Sequence, residues 1–496
     1  MISLLLLFTV AFAGPVQDVQ EIVELGPRVA GTQGGEAAQG WVLGALAESG
    51  YASRRLMGPP GASVVVGCQS GEGPAVWVLA HTDRVHALSP GVIDNAAGMA
   101  IALEAARRVR REDLPVRACF GFPDGEEQGF YGSRVLQARL GVDEAPRLVV
   151  ALDLLGQGEP TAMGLGKAFG ARRLRWLLEA AEVEVPYAYR VFSRLFPNRE
   201  RSDHAPFAEA GVPAFLLMGR SDLGVYWAYH TEQDDLDQLD PDAVEAAVLA
   251  LVGILRAGPP PQESSGWAVV VPGTRWVFSS PLIIALLAMG IGGGVLVGIR
   301  YWRDALIGLG FAVLGTSLGW LLWVMGAGSR AEYGSLAPIL TVLWLVGVVA
   351  VLSYSSHREH GVAGGALVAA WLAASMLALD VTLALPWALV AILLALGSRA
   401  WFIVVLVLPI PAYLMSVELW RELVFHGVIP ESGGWWMPVR ALALWPLACV
   451  VLSIPRVRGW VWPIGLGLAL MAGGFRAALQ AEWEPPLYER NALYPE

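Results

Sequence analysis

Long apolar stretches recur through the second half of the chain, and they limit the folds open to it. Eight such stretches of near-spanning length lie at 280–299, 305–325, 336–354, 362–379, 381–397, 400–417, 437–454 and 460–478. A helix needs about 20 apolar residues to cross about 30 Å of hydrocarbon. We therefore predict an all-α polytopic membrane domain of about eight helices over residues 276–480, with the lipid bilayer as its partner.

The charges divide the chain at the same place. Residues 1–266 contain 33 acidic and 22 basic residues, whereas residues 267–496 contain 11 and 12 and also hold 16 of the 20 Trp. This predicts a soluble acidic domain at 16–257, followed by a Pro/Gly/Ser-rich linker at 258–275. An acidic domain without a basic stripe argues against nucleic acid as a partner.

The N-terminus predicts export. An apolar run from Leu4 to Ala13 ends in Ala11-Phe12-Ala13, which suits a signal peptide over residues 1–13. An uncleaved anchor is the alternative, and it also places the following domain outside the cytoplasm.

The distribution of arginine between the loops also predicts that the first domain lies outside the cytoplasm. With the first domain outside, the inside loops hold Arg300, Arg303, Arg358, Arg399, Arg456 and Arg458, whereas the outside segments are rich in Glu. This obeys the positive-inside rule. We expect a multi-pass protein of the bacterial inner membrane, with its first domain and its tail at 481–496 on the periplasmic side.

Small residues and cysteines leave two questions open. Gly290, Gly294 and Gly298 recur every four residues, which favours close approach of another helix and is compatible with oligomerisation through the membrane domain. Cys68 and Cys119 are expected either to pair or to remain as buried thiols.

The soluble part alternates strand and helix. Apolar runs predict strands at 63–66, 75–80, 116–122, 148–152 and 214–218, and helical patterns lie at 34–49, 98–111, 131–140, 170–183 and 242–256. The expected fold class is α/β, with a mixed, mostly parallel sheet flanked by helices. Ligands in such sheets gather at the carboxyl ends of strands.

Metal-ligating residue types lie at the ends of these strands or in loops. The segments that contain them are His81-Thr82-Asp83, Asp94-Asn95, Glu126-Glu127, Asp153 and Tyr229-His230. Two histidines and three carboxylates suit a pair of zinc-type cations, and a further Glu beside them is placed to act as a general base. Taken alone, each segment has a plainer interpretation, such as a core histidine, a helix cap or a turn.

In this order the segments resemble the di-zinc exopeptidases of clan MH, which include bacterial leucyl aminopeptidase and glutamate carboxypeptidase. The resemblance covers about residues 20–257 and includes a sixth block, Arg201-Ser202-Asp203-His204-Ala205-Pro206-Phe207. A peptidase domain joined to many spans also resembles the endoplasmic-reticulum and vacuolar membrane metallopeptidases.

The resemblance implies two Zn²⁺ ions with defined ligands. His81 and Asp153 would hold one ion, Glu127 and His230 the other, and Asp94 would bridge both.

The remaining residues take supporting roles by the same resemblance. Glu126 would be the general base, Asp83 would orient His81, Tyr229 would hydrogen-bond the developing oxyanion, and Asn95 would support the bridging loop. His204 is expected to be structural or on the substrate side, His86 to lie on a surface loop, and Asp234 to belong to a turn.

The resulting hypothesis is a membrane-anchored zinc exopeptidase with peptide substrates, most simply an aminopeptidase. Two alternatives stay open: a glutaminyl-cyclase-like acyltransferase with one metal, and a non-catalytic receptor or transport subunit that keeps the fold. Side-chain preference and the choice between amino- and carboxypeptidase are not determined by the sequence.

Overall fold

The computed structural model describes residues 14–141, 144–165, 168–186, 202–220, 226, 228–262, 267–270 and 274–300, with scattered residues between 370 and 392. The predicted signal peptide, the tail at 481–496 and most of the predicted spans lie outside these residues. The chain divides into two compact units, residues 1–186 with 196–266 and residues 187–195 with 267–496. Each is described by itself.

A seven-stranded sheet forms the centre of the first unit. Its strands are β1 (Ala52–Leu56), β2 (Val64–Cys68), β3 (Ala75–Ala80), β4 (Arg117–Pro123), β5 (Pro146–Leu152), β6 (Glu159–Met163) and β7 (Ala214–Arg220). The five predicted strands are present with ends displaced by at most two residues. The prediction missed β1 and β6, since β1 contains Arg54 and Arg55 and β6 contains Pro160, so that neither forms an apolar run.

The sheet is mixed, with strand order β1-β2-β4-β3-β5-β7-β6. The central strands β4, β3, β5 and β7 are parallel to one another, while β1, β2 and β6 add antiparallel pairs at the two sides. Parallel pairing is therefore confined to the centre of the sheet. The carboxyl ends of the four central strands meet at one edge.

Helices cover both faces of the sheet. They are α1 (Pro15–Glu24), α2 (Gln33–Glu48), α3 (Ala97–Val109), α4 (Tyr131–Arg139), α5 (Ala171–Ala180), α6 (Ala205–Glu209) and α7 (Pro241–Ala257). On one face, Trp77 and Leu79 pack in a buried cluster with Leu136 of α4 and Phe207 of α6. On the other face the strands meet α2 and α3. The prediction missed α1, which begins directly after the predicted signal peptide.

A disulfide joins two neighbouring strands of the sheet. Cys68 of β2 and Cys119 of β4 are direct partners in the antiparallel register, and their sulfurs are bonded. Of the two expectations for these cysteines, the structure therefore shows the pair. Such a bond belongs to proteins of oxidising compartments.

In the second unit, a short hairpin leads into a long helix. The hairpin consists of β8 (Ala268–Val270) and β9 (Val277–Ser279), and α8 (Ser280–Arg300) follows at once. Within the described residues, α8 is the one helix long and apolar enough to cross a membrane, with a mean hydropathy of 2.1 over Ser280–Val297.

Close packing of α8 involves Gly290, the first of the three glycines spaced four residues apart. A Cβ placed on Gly290 would lie 2.6 Å from the Ala388 Cα, so only glycine permits this approach. Ile283 and Leu287 on the same helix are buried in a cluster with Ala388 and Leu385.

Candidate metal centre

Four of the predicted site residues lie directly after strands of the parallel centre. His81 follows β3, Asp153 follows β5, and Glu126 and Glu127 occupy the turn after β4. Since β4, β3 and β5 are parallel neighbours, these residues meet at the carboxyl edge of the sheet.

Two further residues reach this edge from loops. Asp94 lies in the segment Val92–Ala96 that leads into α3, and His230 lies in the segment between β7 and α7. The Asn95 Nδ2 donates a hydrogen bond of 2.7 Å to the Leu152 carbonyl, which ties the Asp94 loop to the end of β5. Gly98 gives the Asn95 side chain its space, because a Cβ at that position would overlap it.

The two histidines approach opposite oxygens of one carboxylate. The His81 Nε2 lies 3.3 Å from Asp94 Oδ1 and 3.5 Å from Asp153 Oδ1. The His230 Nε2 lies 3.3 Å from Asp94 Oδ2 and 3.0 Å from Glu127 Oε2. The ligand atoms thus form two groups, each within 4.8 Å, that share Asp94.

Several buried polar atoms at this point face one another without hydrogen bonds. The His81 Nε2, His230 Nε2, Glu127 Oε1 and Asp153 Oδ1 make none of good geometry with any described residue. Buried polar atoms are normally paired, and nitrogen and carboxylate oxygen are the donors that zinc prefers. The donor atoms of the two groups therefore fit divalent cations of zinc type.

The histidine pKa values reflect the concentration of negative charge. Burial lowers the pKa of His81, but its contacts with Asp153, Asp83 and Asp94 outweigh burial and raise the pKa well above its ordinary value. For His230, contacts with Asp94 and Glu127 likewise overcome burial and raise the pKa to about 11. Without a metal, protons would occupy the nitrogens that a cation would otherwise bind.

The carboxylates of the site differ in pKa. Burial raises the pKa of Asp94, but the two histidines reverse that effect and hold it well below its usual range. Burial and the charge of Asp94 raise the pKa of Glu127 to about 8. For Glu126, which is 8% exposed, burial and the charges of Asp153 and Glu127 raise the pKa well above its ordinary value. A carboxyl group tuned upward in this way suits proton transfer near neutral pH.

Asp83 contacts the turn of Glu126 and Glu127 as well as His81. Its Oδ1 accepts a hydrogen bond from the Glu126 N–H at 3.1 Å and its Oδ2 accepts one from the Glu127 N–H at 3.2 Å. The His81 Nδ1 lies 3.1 Å from the Asp83 carbonyl oxygen and 3.6 Å from its carboxylate. The carboxylate, predicted to orient His81, thus also holds the turn that carries Glu126 and Glu127.

Tyr229 lies against a metal-ligand candidate. Its ring stacks on the ring of His230, with centroids 3.6 Å apart. Burial and the charges of Glu127 and Asp94 raise the pKa of its phenol well above its ordinary value, so the group stays protonated and able to donate.

The sixth block of the sequence places another carboxylate near the site. Asp203 is 1% exposed, and burial together with the charges of Asp83 and Asp153 raises its pKa to about 7. Its charge in turn raises the pKa of Glu126. Sequence reasoning assigned Asp203 no role, although its position in that block was a signal. His204 beside it is buried.

Two loop residues make contacts that the sequence did not predict. His86 lies in a partly exposed loop, as expected, with its Nε2 3.1 Å from the carbonyl oxygen of His230. Asp234 follows a turn, as expected, but it is fully buried and accepts hydrogen bonds from the backbone of Ile93 and Asp94. Both side chains lie beside ligand segments far away in sequence, which no local pattern reveals.

Comparison with known proteins bears on the same part of the chain. The family model described as Peptidase family M28, a zinc-dependent family, matches residues 64–254. This match supports a zinc exopeptidase-like domain there, and it contains every predicted ligand.

Solved structures resemble about half of the chain. The Legionella pneumophila LapA aminopeptidase is 20% identical, with 50% of this chain and 72% of that chain covered and a TM-score of 0.42. BSAP, a zinc aminopeptidase from Bacillus subtilis, is 14% identical, with 50% and 97% covered and a TM-score of 0.42. The Bacteroides thetaiotaomicron glutaminyl cyclase bound to N-acetylhistamine is 18% identical, with 49% and 96% covered and a TM-score of 0.43.

Proposed function

We propose that this chain is a membrane-anchored zinc exopeptidase that acts as an aminopeptidase outside the cytoplasm. The observation that carries the proposal is the pair of ligand groups, His81 with Asp153 and Glu127 with His230, which share the carboxylate of Asp94. Glu126 is buried beside them and belongs to a third such group with His81 and Glu127.

Each side chain of the site has its own role in the proposed peptide hydrolysis. A zinc pair bound by these ligands would polarise the scissile carbonyl and lower the pKa of the attacking water. Glu126, with its raised pKa, takes the proton of that water and passes it to the leaving amine. Asp83 holds the Glu126 backbone in place, and the Tyr229 phenol donates to the oxyanion as it develops.

The charges of the site favour a substrate with a free amino terminus. Asp203 adds a buried carboxylate whose charge acts on Glu126, and the negative charge of the site would stabilise an ammonium group. The two buried arginines nearest the ligand loops are already engaged, since Arg28 donates to the Gly91 carbonyl and Arg84 to that of Ala87.

Anchoring and location belong to the same proposal. The apolar helix at Ser280–Val297 supports the first of the eight predicted spans. The Cys68–Cys119 disulfide supports an extracytoplasmic location of the catalytic unit. The signal peptide at 1–13 and the spans beyond residue 300 remain predictions from the sequence.

The test uses the full chain purified in detergent. We expect two zinc ions per chain by elemental analysis and hydrolysis of aminoacyl-anilides that chelators abolish. Glu126→Gln should lower kcat by about 10²–10⁴-fold while zinc content stays the same, and Glu112→Gln, at an ion pair with Arg256 elsewhere, should leave kcat unchanged.

Other outcomes would identify the alternatives. One zinc ion per chain with cyclisation of an amino-terminal glutamine would indicate a glutaminyl-cyclase-like enzyme. Full anilide hydrolysis by the Glu126→Gln variant, or a chain that binds no zinc, would contradict the proposal.

A further inference from the structure

Arg28 is a charged side chain with no exposed surface, in the loop between α1 and α2. It precedes the matched segment 64–254, and no motif of the sequence includes it. Burial of a charged group costs free energy unless its hydrogen bonds are satisfied. The guanidinium of Arg28 is therefore expected to have hydrogen-bond acceptors around it.

The guanidinium of Arg28 contacts two of the ligand loops at once. Its Nη2 donates to the Gly91 carbonyl at 2.7 Å and its Nη1 to the Pro90 carbonyl at 3.4 Å, three to four residues before Asp94. Its Nε donates to the Thr82 carbonyl at 3.2 Å, one residue after His81. A single planar group thus joins the His81 loop to the Asp94 loop.

The backbone at Gly91 is shaped for this contact. Gly91 has a φ of 67°, and a Cβ placed there would lie 3.0 Å from the Arg28 Nη2 and 2.8 Å from the Asp94 carbonyl oxygen. The left-handed conformation and the tight space both favour glycine. The loop therefore lies directly on the guanidinium.

Asp234 holds the other end of the same loop. Its Oδ1 accepts the Ile93 N–H at 2.7 Å and its Oδ2 accepts the Asp94 N–H at 3.1 Å, while the Tyr226 hydroxyl donates to Oδ1 at 3.0 Å. A buried cation thus binds carbonyls at the start of the loop, and a buried anion binds amides at its end. The opposite charges also stabilise each other, since Asp234 raises the pKa of Arg28 against the effect of burial.

We propose that Arg28 is a positioning residue that aligns the His81 and Asp94 loops for metal binding, with Asp234 as its counterpart on the Asp94 loop. The inference rests on the proposed function of these loops as ligand carriers. The guanidinium has donors in a fixed planar arrangement, whereas a lysine ammonium is a point charge that cannot reach both loops in the same way. Alignment before the metal binds lowers the ordering cost of binding.

The experiment measures zinc affinity of the full chain by competition with a chromogenic chelator. Arg28→Met and Arg28→Lys are both expected to weaken zinc binding by roughly 10–100-fold, the range typical of groups that orient ligands. Hydrogen exchange of the metal-free chain should show faster exchange at residues 92–96 in both variants.

Arg107→Met is the matched control. Arg107 makes an ion pair with the buried carboxylate of Asp18 between α3 and α1, so its loss removes a comparable interaction away from the ligand loops. We expect lower stability of this variant with wild-type zinc affinity. Should Arg28→Met fail to fold, Asp234→Asn reports on the same loop, because an amide side chain cannot accept both N–H groups.

The outcomes separate this inference from the proposed function. Wild-type zinc affinity in Arg28→Met, or in Asp234→Asn where that variant replaces it, would overturn the positioning role even if the chain hydrolyses peptides. Weakened zinc binding in a chain that lacks peptidase activity would support the positioning role while contradicting the proposed activity.

Discussion

The two oxygens of the Asp94 carboxylate face different histidines, each at 3.3 Å. Glu127 and Asp153 approach the same pair of nitrogens from the outside. Without cations, burial and the negative charge of Asp94 raise the pKa of Glu127 to about 8. The arrangement is thus one that bound divalent cations would stabilise.

Asp83 leads to a prediction at the scale of the single residue. Replacement by Asn leaves one acceptor for the two N–H groups of Glu126 and Glu127, so the turn that carries the proposed base and a proposed ligand loses its alignment. We expect Asp83→Asn to lower zinc affinity and kcat by about 10–100-fold each. Chelator competition and steady-state kinetics measure the two effects, with the exposed Asp237→Asn as control; unchanged values for Asp83→Asn would refute this role.

Among the secondary-structure elements, the parallel strands explain how distant residues become one site. The site residues lie in the short segments that follow the carboxyl ends of these strands. Because β3, β4 and β5 are neighbours, positions from 81 to 153 come together. The loops need additional support, which the Asn95 contact to β5 and the Arg28 and Asp234 contacts provide.

Helix α8 contains a matched pair of glycines for a test. Gly290 lies against the Ala388 backbone, whereas a Cβ placed on Gly292 would meet no atom of the described residues within 4 Å. Overpacking typically costs about 1–3 kcal/mol, so Gly290→Leu should lower the Tm of the full chain in detergent and Gly292→Leu should not. Tryptophan fluorescence can follow unfolding of this part, since residues 267–496 hold 16 of the 20 Trp. Equal Tm values for the two variants would contradict the close packing at Gly290.

For the whole molecule, the disulfide provides a test of location. If the catalytic unit is extracytoplasmic, Cys68 and Cys119 are oxidised in cells, and a denatured, unreduced chain should react with maleimide-polyethylene glycol at Cys449 alone. After reduction, all three cysteines should react. The Cys68→Ser/Cys119→Ser variant should react at one position with or without reductant. Three reactive thiols in the unreduced wild-type chain would place the domain in a reducing compartment.

Much of the site was predictable because its chemistry is encoded locally. His81 and Asp153 directly follow apolar runs, Glu126 and Glu127 lie in the turn after another such run, and the length of these runs indicates strands without knowledge of the fold. The family match over residues 64–254 agrees with the segment that these patterns delimit.

The two edge strands could not be predicted from apolar runs. β1 and β6 are the outermost strands of the sheet, where polar residues such as Arg54 are tolerated. Their pairing depends on partners already in place, so that tertiary context overrides their weak local pattern.

The sequence by itself determined which residue types stand at strand ends, where the apolar spans begin, and how the charges divide the chain. Only the tertiary structure decided that Arg28 and Asp234 hold one ligand loop from two ends, that Asp203 adds charge beside Glu126, and that Cys68 meets Cys119. The physical reason is that local patterns record burial and chain direction. The partners of a buried charge are backbone groups or side chains brought close by the fold, from sequence positions that no periodicity connects.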